Sequence, residues 1–281
     1  MLQLLIACAA PEAAVPSEPP PEASPPARAP LPPPTWPAPG AALRVLPPPQ
    51  AAPQPQARTR LVVDAGHGAP GNPGNTSARC ESEAEFTRRT QDALLARLAD
   101  APELEVRAGR PGSELVTYDA RITAFHEWPA DAVLSLHSDA RQGSGAQRDA
   151  RSGCWAADDA EGFAVLYSDE GDAALAADRA ALARAVATAM HDAGFLPYGG
   201  EDYAGLYGPD TTAGVFVDRH AAGKRIKMLR TTRVPTVIVE THQALDRDEA
   251  ERWDEPATLD AFAAAVRAAA ASWRRTRPAP R

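Results

Sequence analysis

The sequence has no run of 18 apolar residues, and it has no excess of positive charge. The first absence argues against a membrane-spanning helix, because such a helix needs about 20 consecutive apolar residues. The second follows from 29 lysines and arginines against 37 acidic residues, which give a net charge of −8. Because an acidic protein repels phosphate backbones, we do not expect nucleic acid as a partner.

Proline is scarce over most of the chain and concentrated at its start. Residues 1–60 contain 18 of the 29 prolines, or 30% of that segment, whereas the other 221 residues contain 11, or 5%. Such a proline-rich segment cannot form hydrogen-bonded ladders and is typical of an extended spacer, or alternatively of a ligand for a proline-binding module. We expect a disordered linker at residues 11–59 and one full-sized domain at residues 60–281.

The first ten residues combine a short apolar run with a cysteine. The tetrapeptide LIAC at residues 5–8 resembles the lipoprotein box of bacteria, although four residues can also match by chance. Residues 1–10 lack the basic start of an export signal, so we expect a truncated signal. The resemblance implies an exported protein, either periplasmic or anchored to the outer membrane by a lipid at Cys8. In that compartment Cys80 and Cys154 either pair or remain separate thiols, and their spacing does not decide between these.

Helical and strand-like apolar patterns alternate along the domain, which indicates an α/β sandwich. The expected strands cover residues 60–64, 104–108, 131–137, 163–167, 226–229 and 234–240. The expected helices cover residues 83–98, 115–126, 172–193 and 258–274. The stretch at residues 196–224 is rich in glycine and tyrosine, a composition that suits a mobile surface loop.

Three polar residues follow apolar strands closely. His67 follows LVVDAG, His137 follows AVLSL, and Glu240 follows VPTVIV. The ends of strands in open α/β sheets are where functional sites are built. A single histidine at such a place is more often structural, but two histidines and a glutamate in the same topological position favour a site.

Glu83 is a fourth candidate, because it shares a helix face with Phe86 three residues later. An inward-facing carboxylate is costly unless it is paired or bound to a metal. Glu81 falls on another face and serves as the fallback. The alternative role for Glu83 is an interaction with the helix dipole.

Taken together, His67, Glu83 and His137 offer two imidazoles and a carboxylate, which is the ligand set of a catalytic zinc ion. Glu240 could then act as the general base that deprotonates a water molecule. Other divalent ions would also bind such a set, and the residues are scattered along the chain. Spacing alone therefore does not prove a metal site.

Three motifs follow one another along the domain: VVDAGHGAPGNPGN at residues 62–75, ADAVLSLHSDA at 130–140 and VPTVIVE at 234–240. Glu83 lies at a helix start, and Arg121 comes before the second histidine. Over most of residues 60–255, this pattern resembles the zinc-dependent N-acetylmuramoyl-L-alanine amidases of bacterial cell walls. The resemblance implies zinc ligands at His67, Glu83 and His137, and a catalytic acid/base at Glu240.

For the fold we expect a three-layer α/β sandwich of the phosphorylase/hydrolase-like type, in which helices flank a mixed, mostly parallel sheet. The implied reaction is hydrolysis of the amide bond between N-acetylmuramic acid and L-alanine, so the implied partner is peptidoglycan. Four residues depart from the family pattern near the expected cleft: Asp139, His242, Gln243 and Asp246. None of them removes a ligand or the base, and the resemblance implies that they line the substrate cleft.

Two other functions remain as alternatives. A zinc peptidase on a related sheet, such as a carboxypeptidase, would shorten stem peptides instead of releasing them. A non-catalytic lipoprotein would bind the wall and have lost activity. The presence of all four candidate residues favours the enzyme.

Overall fold

The computed structural model describes residues 43–50, 57–112, 114–141, 145–150 and 152–277. The strands in these ranges are β1 (Thr59–Ala65), β2 (Leu104–Ala108), β3 (Ala132–Asp139), β4 (Gln147–Arg148), β5 (Trp155–Ala156), β6 (Ala164–Tyr167), β7 (Tyr207–Pro209), β8 (Val215–Asp218) and β9 (Thr236–Gln243). The α-helices are α1 (Glu83–Leu98), α2 (Tyr118–Glu127), α3 (Ala173–Asp192), α4 (Lys227–Thr231), α5 (Arg247–Arg252) and α6 (Pro256–Thr276). None of the helices in these ranges has the length and hydrophobicity of a membrane span.

Seven strands form one sheet in the order β2-β1-β3-β9-β6-β8-β7, and β4 and β5 form a separate antiparallel hairpin. Four neighbouring pairs in the large sheet are parallel, whereas β6 with β9 and β7 with β8 are antiparallel. This confirms the expected mixed, mostly parallel sheet. Helices α1, α3 and α6 pack on one face through the largest apolar cluster, and α2 and α4 cover part of the other.

The topology brings three strand ends together. Strands β1, β3 and β9 are adjacent and parallel, so their carboxyl ends lie at the same edge of the sheet. Their central residues are buried on both faces, as expected for strands covered by helices on each side. The polar residues that follow these apolar runs therefore lie at one common edge.

Two expectations about the second half of the domain are wrong. Residues 226–229 are not a strand: Ile226 precedes helix α4, and its backbone N–H donates to the buried Asp218 carboxylate at 2.8 Å. A short apolar run does not distinguish a strand from a buried helical turn. The stretch at residues 196–224 is not simply a surface loop, because it contains β7 and β8 and buries Tyr198 and Tyr203.

A short piece of the proline-rich segment contacts the domain. Leu43 and Leu46 pack against the main apolar cluster, and the backbone N–H of Arg44 donates to the carbonyl of Ala193 at 2.8 Å. Cys8 lies outside the described residues. The linker boundaries and the lipid anchor therefore stay predictions.

Cys80 and Cys154 form a disulfide, with their Cα atoms 5.6 Å apart. It joins the loop before α1 to the β4–β5 hairpin, and Ser152 Oγ also donates to the carbonyl of Ala78 at 3.1 Å. The hairpin is thus fixed beside the segment that leads into Glu83.

Replacing both Cys80 and Cys154 with alanine is expected to lower the free energy of unfolding by about 2–4 kcal/mol. The reason is that the bond closes a loop across a sequence separation of 74 residues, which restricts the unfolded chain. Urea unfolding with and without a reducing agent would measure the effect. The reductant should lower the urea concentration at the midpoint of unfolding for the wild type and leave that of the double variant unchanged. An equal shift in both proteins would contradict a stabilising disulfide.

Candidate metal centre

The candidate ligands come from three neighbouring elements of the fold. His67 lies two residues beyond β1, and His137 lies near the end of β3, directly in register with Glu240 on β9. The loop after β1 is tied to β3 by the backbone N–H of Gly66, which donates to the carbonyl of Leu136 at 2.9 Å. A side chain on Gly66 would not fit, because its Cβ would lie 2.4 Å from Nε2 of His137.

Glu83 is the first residue of helix α1 and is only 4% exposed. Ser82 caps this helix, and its hydroxyl also donates to the side chain of Glu85 at 2.8 Å. The cap fixes the first turn so that Glu83 points inwards. Glu81, the fallback candidate, instead forms a two-fold ion pair with Arg89 at 2.8 and 2.9 Å.

The structure brings His67, Glu83 and His137 together, with one ligand atom from each lying within 4.8 Å of the others. The carboxylate of Glu83 bridges the rings: Oε2 lies 3.0 Å from Nε2 of His67, and Oε1 lies 3.0 Å from Nδ1 of His137. Ligands of one tetrahedral zinc ion, at bond lengths of about 2.0–2.2 Å, lie roughly 3.3–3.6 Å apart. The donor types therefore fit a zinc ion, and the ligand atoms would have to shift slightly to reach these separations.

The charges of these groups are strongly linked. Burial opposes ionisation of Glu83, but hydrogen bonds and attraction from His137 and His67 outweigh it and lower the pKa of Glu83. Burial likewise opposes protonation of His67, but the hydrogen bond and charge of Glu83 raise the pKa of His67. A buried carboxylate that stays negative between two imidazoles is an arrangement that attracts a cation.

Glu240 lies beside this group with one oxygen unsatisfied. Its Oε2 is shielded from solvent and has no hydrogen-bond partner among the described residues. Burial, followed by the nearby carboxylates of Asp139 and Glu83, raises the pKa of Glu240 well above its ordinary value. A buried carboxyl group with an unpartnered oxygen and a perturbed pKa is a candidate for proton transfer.

Asp139 is fixed in a cluster that the sequence did not reveal. Its Oδ2 accepts hydrogen bonds from the Tyr203 hydroxyl and, at 3.0 Å, from Nε of Arg141. The guanidinium of Arg141 lies 3.8 Å from the ring centre of Tyr198 and donates to the carbonyls of residues 160 and 162. Asp139 and Tyr203, which both lie close enough to Glu240 to interact with its charge, are thus held in fixed positions near it.

The other departures from the family pattern do not enter the site. A β-bulge after Glu240 sets three residues of β9 against two of β3. Because the bulge interrupts the alternation of side chains, His242 packs between Phe86 and Trp253, where burial lowers its pKa to about 3. Gln243 binds the main chain of residue 141, and Asp246 caps helix α5.

Two buried arginines support the loop that carries His67. Arg121 donates to Asp64, 3.3 Å away, and to the carbonyls of residue 65 and His67. Arg110 donates to the carbonyls of residues 65 and 66 and to that of residue 84, beside Glu83. The sequence does not indicate this role of Arg110, because no recognisable motif surrounds it after the predicted strand at residues 104–108.

Replacing Arg121 with methionine is expected to lower the free energy of unfolding by about 3–5 kcal/mol, because it leaves the carboxylate of Asp64 buried without its cation. Both side chains are 0% exposed. Chemical unfolding would measure the loss. Arg88→Met breaks the Arg88–Asp92 pair, which is 38% and 53% exposed, and should cost less than about 1 kcal/mol. Equal losses in the two variants would contradict this role for Arg121.

The remaining histidines lie outside the group. Nε2 of His126 accepts from the backbone N–H of Arg233 at 3.0 Å, and His191 is exposed at the end of α3. His220 contacts the buried Asp218 carboxylate at 2.8 Å. Among the described residues, the His67–Glu83–His137 group is the one cluster of three such side chains that could hold a metal ion.

Residues 61–272 match the family described as N-acetylmuramoyl-L-alanine amidase. No curated protein matches the chain significantly. Similar solved structures include an N-acetylmuramoyl-L-alanine amidase from Clostridium difficile 630, with 16% identity and a TM-score of 0.58 over 79% of this chain and 99% of that one. The Ami1 amidase of Mycobacterium smegmatis has 17% identity and a TM-score of 0.59, with 78% and 98% coverage. Ami1 of Mycobacterium abscessus has 19% identity and the same TM-score, with 78% and 100% coverage.

Proposed function

The chain belongs to the N-acetylmuramoyl-L-alanine amidase family, and we propose that it is a zinc-dependent member which cleaves the amide bond between N-acetylmuramic acid and L-alanine in peptidoglycan. The observation that carries this proposal is the convergence of His67, Glu83 and His137, with Glu240 in register beside them. This arrangement supports a hydrolytic centre in preference to a surface that only binds the wall.

His67, Glu83 and His137 would hold the metal, since they offer two imidazole nitrogens and a carboxylate oxygen. When bound, zinc supplies a Lewis acid that makes water nucleophilic near neutral pH and stabilises negative charge on a carbonyl oxygen. Buried backbone contacts position the ligand side chains. The protein therefore contributes an ordered site at the edge of the sheet where the strands β1, β3 and β9 end.

Glu240 acts as the general base and then as the general acid. Its unpartnered Oε2 takes a proton from the attacking water, whose oxygen bonds to the lactyl carbonyl carbon of N-acetylmuramic acid. As the carbon–nitrogen bond breaks, Glu240 returns the proton to the departing nitrogen of L-alanine. The products are the glycan with a free lactyl carboxylate and an intact stem peptide.

Residues 1–59 support a location for the enzyme outside the cytoplasm. A cell-wall amidase acts outside the cytoplasm, and the LIAC tetrapeptide supports a lipid anchor at Cys8. The proline-rich linker would then let a membrane-bound domain reach the wall, because polyproline segments extend by about 3.1 Å per residue.

The experiment is digestion of purified peptidoglycan by the full chain, with analysis of the soluble products. We expect full-length stem peptides with a free L-alanine amino group, loss of activity with a chelator, and recovery on adding zinc. Shortened stem peptides would indicate a carboxypeptidase instead. Wall binding without products at any zinc concentration would indicate a non-catalytic protein, and either result contradicts the proposed reaction.

A further inference from the structure

The loop Asn72–Asn75 lies against two of the candidate metal ligands. The chain contains two asparagines in 281 residues, and both are in this loop, which reads Asn-Pro-Gly-Asn. We call it the asparagine loop. One asparagine contacts His67 and the other contacts Glu83, so each holds a different ligand.

Asn72 fixes which nitrogen of His67 carries the proton. Its Oδ1 lies 2.8 Å from Nδ1 of His67 and also accepts the backbone N–H of Gly74 at 3.3 Å. Because a backbone N–H can only donate, this amide atom is the oxygen, and Nδ1 of His67 must be the donor. The amide nitrogen points the other way and donates to the hydroxyl of Tyr118 at 3.0 Å. When the ring of His67 is neutral, its proton therefore lies on Nδ1 and its lone pair lies on Nε2, on the side of Glu83.

Asn75 uses the opposite end of its amide. Its Nδ2 donates to Oε2 of Glu83 at 2.8 Å and also to the carbonyl of Ser138. Both partners are acceptors, so the nitrogen must face them. The backbone N–H of Asn75 donates to the same Glu83 oxygen at 3.1 Å, while the backbone N–H of Ser138 donates to Oε1 at 3.1 Å. These donors fix the plane of the carboxylate.

Gly74 lets the loop lie close to the contact between His67 and Glu83. Its φ is +76°, and a Cβ there would lie 2.6 Å from Cβ and Oε2 of Glu83 and 2.8 Å from Cγ of His67. Any side chain at this position would push the ligands apart. The close packing is therefore built around the two ligand side chains.

We propose that the asparagine loop is a positioning element that sets the tautomer of His67 and the orientation of Glu83 before a metal ion binds, and that it thereby strengthens zinc binding. This inference rests on the proposed zinc site. Asn72 and Asn75 act through the ligands and need no contact with the substrate. Hydrogen-bond partners of metal ligands commonly change metal affinity by about 10–100-fold.

The two asparagines should respond differently to replacement by aspartate. In Asn72→Asp a carboxylate oxygen still accepts from Nδ1 of His67, so zinc affinity should stay close to that of the wild type. In Asn75→Asp the side-chain donor to Oε2 of Glu83 is lost, and repulsion between the two carboxylates should turn Glu83 away from its present orientation, so affinity should fall by about 100-fold. Asn72→Ala and Asn75→Ala should each weaken binding by about 10-fold. A role confined to shaping the loop would not produce this difference between the two aspartate variants.

The test measures zinc dissociation constants of the full chain by competition with a chromophoric chelator, with circular dichroism to check folding. His67→Ala provides the baseline for a lost ligand. If the wild type binds zinc and His67→Ala does not, equal affinities for Asn72→Asp and Asn75→Asp would overturn the role of the loop and leave the zinc site intact. If the wild type itself fails to bind zinc, the proposed function fails as well.

Discussion

Replacing Glu240 with glutamine is expected to reduce peptidoglycan hydrolysis by about 10²–10⁴-fold while zinc remains bound. Glutamine has nearly the same shape but cannot take up and return the proton. Glu240 is not one of the three converging ligand side chains, so its loss should not release the metal. Product release from purified peptidoglycan and zinc content per chain would be measured on the same preparation.

Glu81→Gln is the matched control for this variant. Glu81 is close to Glu83 in sequence, but its carboxylate is paired with Arg89 outside the site. We expect this control to keep both zinc and activity. Full activity of zinc-loaded Glu240→Gln protein would remove the proton-transfer role assigned to Glu240.

Replacing His67 with alanine is expected to reduce both zinc affinity and hydrolysis. The variant removes one of three converging ligand atoms and leaves the buried Glu83 with a single imidazole. The loss of zinc affinity should exceed the 10–100-fold cost that is typical of an outer hydrogen-bond partner. Equilibrium dialysis against buffered zinc, together with the peptidoglycan assay, would measure both effects.

His220→Ala is the corresponding control for His67→Ala. His220 is also partly buried and also contacts a carboxylate, that of Asp218 at 2.8 Å. It lies outside the three-residue group, so zinc binding and activity should stay at wild-type levels. Similar losses in both variants would mean that His67→Ala acts through general damage to the domain.

The sequence predicted much of the fold because the elements have strong local patterns. Helix α1 and strand β2 have the expected boundaries, since their apolar spacing and flanking residues are clear. Helix α4 was mistaken for a strand because five residues are too few to show a period. Strand β8 was missed because it is a four-residue run next to turns.

The positions of the candidate site residues were also predictable, although their chemical roles remain proposals. His67, His137 and Glu240 could be selected because they follow apolar strands. Glu83 could be preferred to Glu81 because helix periodicity places only Glu83 on the inward face. The fixed cluster around Asp139 was not predictable, because it depends on packing between Arg141 and tyrosines far away in sequence. The place of His242 depends on a bulge, which simple alternation along a strand does not reveal.

Anomalous X-ray diffraction at the zinc absorption edge, on crystals of the zinc-loaded protein, tests the central claim most directly. We predict one strong peak bound by Nε2 of His67, a carboxylate oxygen of Glu83 and Nδ1 of His137, with Glu240 facing it and not bound to it. A peak at other residues, or no peak in protein that cleaves peptidoglycan, would contradict the account.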